Sequence, residues 1–227
     1  MDVFLTIPGG LTTGICGRSG SGKSTLLNSL LGLLEVTRGD ITVDGSSTLH
    51  RQNDVRSNVA YVNQGNGVFP GSLRFNLVCD AEISEQTDEL AWRALRSTSK
   101  RLHDKLRFWG EAAMDVSLDE TGLSSGERAL IQLARAVAAK MMNPAISIVI
   151  LDEATAAVDE QTESDIQACI DKEFEGCTRI IISHQIRNID KCDQVVVMGD
   201  GKVLEAGAPR TNQRFQKLLQ DGGKSLD

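Results

Sequence analysis

The amino-acid sequence predicts an α/β protein built around a mainly parallel sheet, and three observations carry that prediction. Short apolar, strand-like runs alternate with segments whose apolar residues recur at helical spacing, the pattern of strands joined by crossover helices. A glycine-rich stretch, Gly17 to Gly22, falls between the first such strand and the first such helix. The run Ile148 to Leu151 is apolar throughout, as a strand covered on both faces requires. Composition agrees: 227 residues, 41% hydrophobic and 24% charged, describe an ordinary globular chain whose length fits one large domain. The balance of 24 Lys+Arg against 31 Asp+Glu, a net charge of −7, argues against a nucleic-acid binder, which would show a basic face. No apolar run approaches the ~20 residues of a membrane helix, and Met1-Asp2 leads into no basic segment and apolar core of a leader. The five cysteines, Cys16, Cys79, Cys169, Cys177 and Cys192, lack metal-ligand spacing and read as reduced thiols, mostly in the core.

Taken in order, Leu11 to Cys16 is a strand ending at the glycine loop, and Ser24 to Leu34 a helix with Leu26, Leu27, Leu30, Leu31 and Leu34 on its apolar side. Asp40 to Val43 and Val59 to Val62 alternate as strands, with Asp44-Gly45 as a tight turn between structured pieces, and the expected fold includes a small antiparallel β region beside the parallel sheet. A helical stretch from Leu90 to Leu106 marks an inserted lobe. A helix from Gly126 to Met141 leads through Asn143-Pro144 into the strand Ile146 to Leu151. A helix over Thr162 to Phe174, a strand over Arg179 to Ser183 and a hairpin around Asp200-Gly201 (Val195 to Met198, Lys202 to Glu205) complete the chain.

The loop Gly17-Arg18-Ser19-Gly20-Ser21-Gly22-Lys23-Ser24-Thr25 fits the phosphate-binding pattern GxxxxGK[ST] and lies where that pattern must lie, between strand and helix. Its glycines let backbone N–H groups turn inward around phosphate oxygens, and the helix N-terminus adds positive potential. Lys23 is expected to bridge the β- and γ-phosphates of ATP, and Ser24 to ligate Mg²⁺. The strand Ile148 to Leu151 releases Asp152 and Glu153 at its carboxyl end, the edge of a parallel sheet where ligands bind. Asp152 would hold the metal and Glu153 would polarise the attacking water. Two acids after a core strand are also the ordinary start of a solvated loop; the phosphate loop upstream tips the reading towards chemistry.

Between these motifs lies Leu123-Ser124-Ser125-Gly126-Glu127-Arg128, which resembles the LSGGQ signature of ATP-binding-cassette (ABC) ATPases, with Glu127 where that signature has glutamine. Gln64 resembles the family's Q-loop glutamine, Ala156-Ala157-Val158-Asp159 its D-loop, and His184 in Ile182-Ser-His-Gln185 its switch histidine. Six motifs in the family's order span Gly17 to His184. The resemblance implies a P-loop NTPase fold of ABC ATPase type, a single domain over residues 1–227 with the helical lobe at 65–123, and hydrolysis of ATP to ADP and phosphate. It assigns catalytic parts to Lys23, Gln64, Glu153 and His184. It assigns nucleotide contacts to residues 17–25 and to Ser124, Ser125, Gly126 and Glu127, the latter four reaching the ATP of an opposed cassette. Metal contacts fall to Ser24, Gln64 and Asp152. Partners are then a second cassette and transmembrane domains of the same or another chain, with no nucleic acid, and the location is the cytoplasmic face of a membrane.

Ser124-x-x-Glu127 ahead of an apolar-periodic helix is also a plain capping box, and a capped helix start is what an anion site needs. The segments Phe69 to Leu77 and Leu151 to Asp159 look like the second cassette of multidrug-resistance-associated, subfamily C, exporters. Glu127 adds a negative charge beside an anionic ligand. The aromatic residue that stacks on adenine in the family would lie before Met1, since Phe4 is too close to the phosphate loop; the expectation is a chain truncated at its N-terminus, or adenine binding without that platform. Two rival readings remain: a nucleotide-gated regulatory cassette with little hydrolysis, and a soluble ABC ATPase outside transport.

Overall fold

In the computed structural model, the described residues are 3–48, 52–63, 67–79, 81–153, 158–183, 186 and 189–220. They fall into two compact units, one of residues 1–59, 147–151 and 176–227, the other of residues 60–146 and 152–175. The first carries the sheet. Its strands are β1 (Thr12–Gly17), β5 (Ile148–Asp152), β6 (Thr178–Ile182), β7 (Gln194–Gly199) and β8 (Lys202–Gly207), lying in the order β5-β6-β1-β7-β8. β1 runs parallel to β6, with Ile15 opposite Ile182, and parallel to β7, with Gly17 opposite Met198; β7 and β8 are antiparallel. Successive residues of a strand face opposite sides. Val196 and Met198 therefore join Ile15, Ile150, Ile180 and Ile182 in one core under α1 (Lys23–Leu30), while Val195 and Val197 join Cys16, Phe215 and Leu218 in another. Burial on both faces explains the unbroken apolar runs of β5 and β7.

Helix α1 stops four residues before the predicted Leu34. Gly32 takes φ 65°, its N–H bonds the Ser29 carbonyl and the Leu33 N–H reaches the Asn28 carbonyl, the two bonds of a Schellman stop. The short pair β2 (Thr42–Val43) and β3 (Ser46–Ser47) turns through Asp44-Gly45 as predicted, both with positive φ. An additional helix, α8 (Gln213–Gln220), starts where Glu205 accepts from the Gln213 and Arg214 N–H groups and buried Asn212 accepts from the Phe215 N–H.

In the second unit, α6 (Ser125–Met142) is the central element, packed against α3 (Leu73–Val78), α4 (Glu85–Thr98) and α7 (Glu160–Glu173). Leu130, Ile131, Leu133, Ala134, Val137 and Ala138 bury its apolar face. The predicted stretch Leu90 to Leu106 is two helices, because Ser99 is extended (φ −158°, ψ 110°) and its hydroxyl caps α5 (Lys100–Arg107) at the Leu102 N–H. Helix α2 (Gln52–Ser57) lies in the first unit, and α3 starts with the Ser72 hydroxyl accepting from the Phe75 N–H. Strand β4 (Val59–Val62) follows α2.

Candidate functional site

The phosphate loop is built on β1 of the first unit. A Cβ at Gly17 would lie 2.4 Å from the Met198 carbonyl oxygen and 2.6 Å from Ser21 Oγ, so no larger residue fits this turn. The Ser21 N–H bonds the Arg18 carbonyl at 3.1 Å and the Gly201 N–H bonds the Ser21 carbonyl at 3.0 Å, which fixes the loop against the β7–β8 turn. Gly22 precedes α1 with φ 100° and no side chain caps the helix, so its first N–H groups are offered outward. Lys23 is buried, its Nζ donating to the Gly17 carbonyl at 2.8 Å and the Arg18 carbonyl at 3.0 Å. Arg18, Ser19, Gly20, Ser24 and Thr25 are exposed around it.

Ser21 Oγ is buried and has no hydrogen-bond partner among the described residues. Such a hydroxyl costs about 1–3 kcal/mol unless something meets it. A loop of uncapped N–H groups, one ammonium and an orphaned hydroxyl suits an oxyanion with several acceptor oxygens. The residues present therefore fit the polyphosphate that the motif implies. Beneath the loop, burial pushes the Cys16 thiol up to about 12, against the opposing pull of Lys23, so it stays neutral.

The second unit holds the remaining described candidates. Asp152 is half-buried, and the Tyr61 hydroxyl donates to its Oδ2 at 3.4 Å. Burial, together with the Asp152 carboxylate, pushes that phenol up to about 12. Glu153, next in the chain, takes φ 49°. A non-glycine residue held in this region stores about 1–3 kcal/mol of strain, a feature that clusters at functional sites.

Ser124 and Glu127 form the predicted capping box: Ser124 Oγ accepts from the Glu127 N–H at 3.2 Å, and Glu127 Oε2 from the Ser124 N–H at 2.9 Å. Lys105 Nζ reaches both Glu127 oxygens, at 2.8 and 2.9 Å. Burial raises the Glu127 carboxyl, but Lys105 and Ser124 outweigh it and hold the group below the usual carboxylate range. Gly126 is buried against α7: a Cβ there would lie 3.5 Å from Thr162 Cγ2. Asp159 caps α7, accepting from the Thr162 N–H at 3.0 Å and hydroxyl at 2.8 Å, and those bonds depress its carboxyl.

Further along α6, Arg135 donates to the Asn76 carbonyl, to Asn76 Oδ1 and to the Gly67 carbonyl at 2.5, 2.9 and 2.9 Å, and its guanidinium lies 4.5 Å from the Phe69 ring centroid. A Cβ on Gly67 would come within 2.1 Å of Asn63 Oδ1 and 2.5 Å of Gln132. Gly67 and Asn76 are thereby clamped to α6, the helix that Ser124 caps.

Gln64, His184, Gln185, Ala156 and Ala157 lie outside the described residues. Of the others, residues 17–25 belong to the first unit, and Asp152, Glu153 and 124–127 to the second. Sequence reasoning missed Tyr61, Lys105 and Arg135. Arg135 alone left a signal, a charge in the otherwise small and apolar run Leu133-Ala134-Arg135-Ala136-Val137.

Comparison with known proteins decides the family. The family profile described as ABC transporter matches residues 1–156. The chain belongs to the ABC transporter family. It is similar to the rat protein named ATP-binding cassette sub-family C member 2, 39% identical over 97% of this chain and 13% of that protein. ABC transporter C family member 5 of Arabidopsis thaliana is 38% identical over 96% of this chain and 14% of its own length. Among solved structures, a bacterial Atm1-family ABC exporter with ATP bound matches 96% of this chain and 38% of its own, with a TM-score of 0.80 and 23% identity, a likeness of fold. The chain spans between 13% and 21% of the length of the curated sequence relatives it matches. It is an ABC transporter ATP-binding domain, and the relatives named above are subfamily C proteins. No helix among the described residues is long and apolar enough to cross a membrane.

Proposed function

We propose that this ABC domain binds Mg-ATP and hydrolyses it, as the second cassette of a subfamily C exporter working at the cytoplasmic face of a membrane. It would pair there with another cassette and with transmembrane domains of the same or a partner chain. The observation that carries the reading is the phosphate loop, where buried Ser21 Oγ has no partner among the described residues and Lys23 is pinned beneath uncapped helix N–H groups. Residues 17–25 hold the phosphates by backbone N–H groups, and Lys23 supplies the cation towards the β- and γ-oxygens. Ser24, Gln64 and Asp152 would hold Mg²⁺, which neutralises phosphate charge. Tyr61 orients the Asp152 carboxylate. Glu153 accepts a hydrogen bond from the attacking water as the new P–O bond forms and the bond to the ADP oxygen breaks, with His184 steadying the γ-phosphate. The Ser124–Glu127 helix start serves the ATP of the opposed cassette.

Replacing Lys23 by Ala removes the loop's buried ammonium. ATP affinity by nucleotide titration is expected to fall at least tenfold and phosphate release to reach background; unchanged affinity and turnover would refute the assignment.

A further inference from the structure

The signature segment carries a problem that its geometry also solves. Glu127 stands in the first turn of α6, where a carboxylate satisfies the helix's own positive end and so competes with any anion offered to that end. Capping does not require the charge, because a glutamine side-chain oxygen could accept the Ser124 N–H equally well. What the carboxylate alone permits is the ion pair with Lys105, whose Nζ bonds both of its oxygens from a different helix, 22 residues earlier in the chain.

We propose that Lys105 is a positioning residue for the shared nucleotide site: by pairing with Glu127 it cancels the extra negative charge of the signature segment and keeps the α6 N-terminus attractive to the phosphate of an opposing cassette's ATP. The inference rests on the shared-site reading given above. Lys105 sits in the last turn of α5, where a cation is also favoured by that helix's negative end, and its side chain remains 43% exposed, so it can follow Glu127 when the segment meets a ligand. The pair acts as a neutral, hydrogen-bonded substitute for glutamine. Removing the lysine leaves a bare carboxylate at an anion site; removing both charges restores a neutral one.

The test is a double-mutant cycle in the whole chain carrying Glu153→Gln to slow turnover, with Mg-ATP as the probe and pairing followed by light scattering. Lys105→Met should weaken ATP-driven pairing about tenfold, the scale of one unneutralised charge near an anion. The defect should shrink as salt is raised. In a chain that also carries Glu127→Gln, Lys105→Met should change pairing less than twofold, and Lys105→Arg should keep pairing in either background. A purely structural lysine would lower the melting temperature alike in both backgrounds and give no rescue. Equal loss in both backgrounds, or no loss in either, would overturn the proposal while leaving ATP-driven pairing intact. If ATP drives no pairing even with Lys105 and Glu127 in place, the shared-site reading falls, and the role of Lys105 falls with it.

Discussion

Truncating Arg135 tests the clamp of Gly67 and Asn76 to the signature helix. Its guanidinium serves the Asn76 carbonyl and Oδ1 and the Gly67 carbonyl, and lies over the Phe69 ring. Asn76 is fully buried, so its carbonyl loses a partner that water cannot readily replace. Leaving that buried carbonyl unmet costs about 1–3 kcal/mol, with a smaller loss at the half-buried Gly67 carbonyl, while Asn76 Oδ1 keeps the Phe69 N–H; the ring contact adds about 1 kcal/mol. Against this, burial itself disfavours the guanidinium and pulls its pKa down, so removing the charge returns part of the loss. The expected net destabilisation for Arg135→Ala is about 2–4 kcal/mol. For a chain of this size that lowers Tm by roughly 5–12 °C. Both tryptophans, Trp92 and Trp109, lie in the second unit, so urea unfolding followed by tryptophan fluorescence reports the unit that contains the clamp. Arg135→Lys keeps the cation but not the fork, and should fall about midway. A loss below about 1 kcal/mol for Arg135→Ala would refute the clamp.

The cysteines give a second test. Cys79 is exposed while the other four are buried, and burial pushes Cys16 and Cys192 up to about 12 and Cys169 to about 11. Mass spectrometry after native iodoacetamide treatment at pH 8 should find Cys79 alkylated first, and rapid labelling of Cys16 or Cys192 would contradict the packing of β1 and β7. A third concerns acid. Glu127 is held below its ordinary value of 4.5, so the stability it gains is complete above that pH and lost as pH falls through its lowered folded value. The stability gap between the parent and Glu127→Gln, measured by urea titration, should therefore be constant well above the ordinary value of 4.5 and shrink as pH falls below it; a gap independent of pH would contradict the ion pair.

Much of the fold was legible because both faces of the sheet are buried. Apolar runs such as Ile148 to Leu151 and Val195 to Met198 have little alternative, and the loop 17–25 announces its own place between strand and helix. Helix ends were less legible, since they turn on single residues. Gly32 stops α1 by a left-handed turn, and Ser99 breaks a continuous helical pattern by capping its own successor. Both signals are present in the sequence, but each competes with a periodic run of leucines that points the other way. Helix α8 rests on Glu205, a residue of β8 whose contact with Gln213 and Arg214 no local pattern reveals. The same division runs through the site. The Ser124–Glu127 cap is local, three residues apart, and was readable; Lys105 and Tyr61 meet Glu127 and Asp152 only through the fold.

The most direct test of the account is ATP turnover and ATP binding in Glu153→Gln, side by side with the parent chain. The substitution keeps size and hydrogen bonding and removes the charge proposed to act on water. Binding should stay within about twofold of the parent while single-turnover hydrolysis falls at least ~10²-fold, the lower range for a general base. Hydrolysis at the parent's rate would contradict the central claim that this domain is an ATPase with Glu153 at its chemical step.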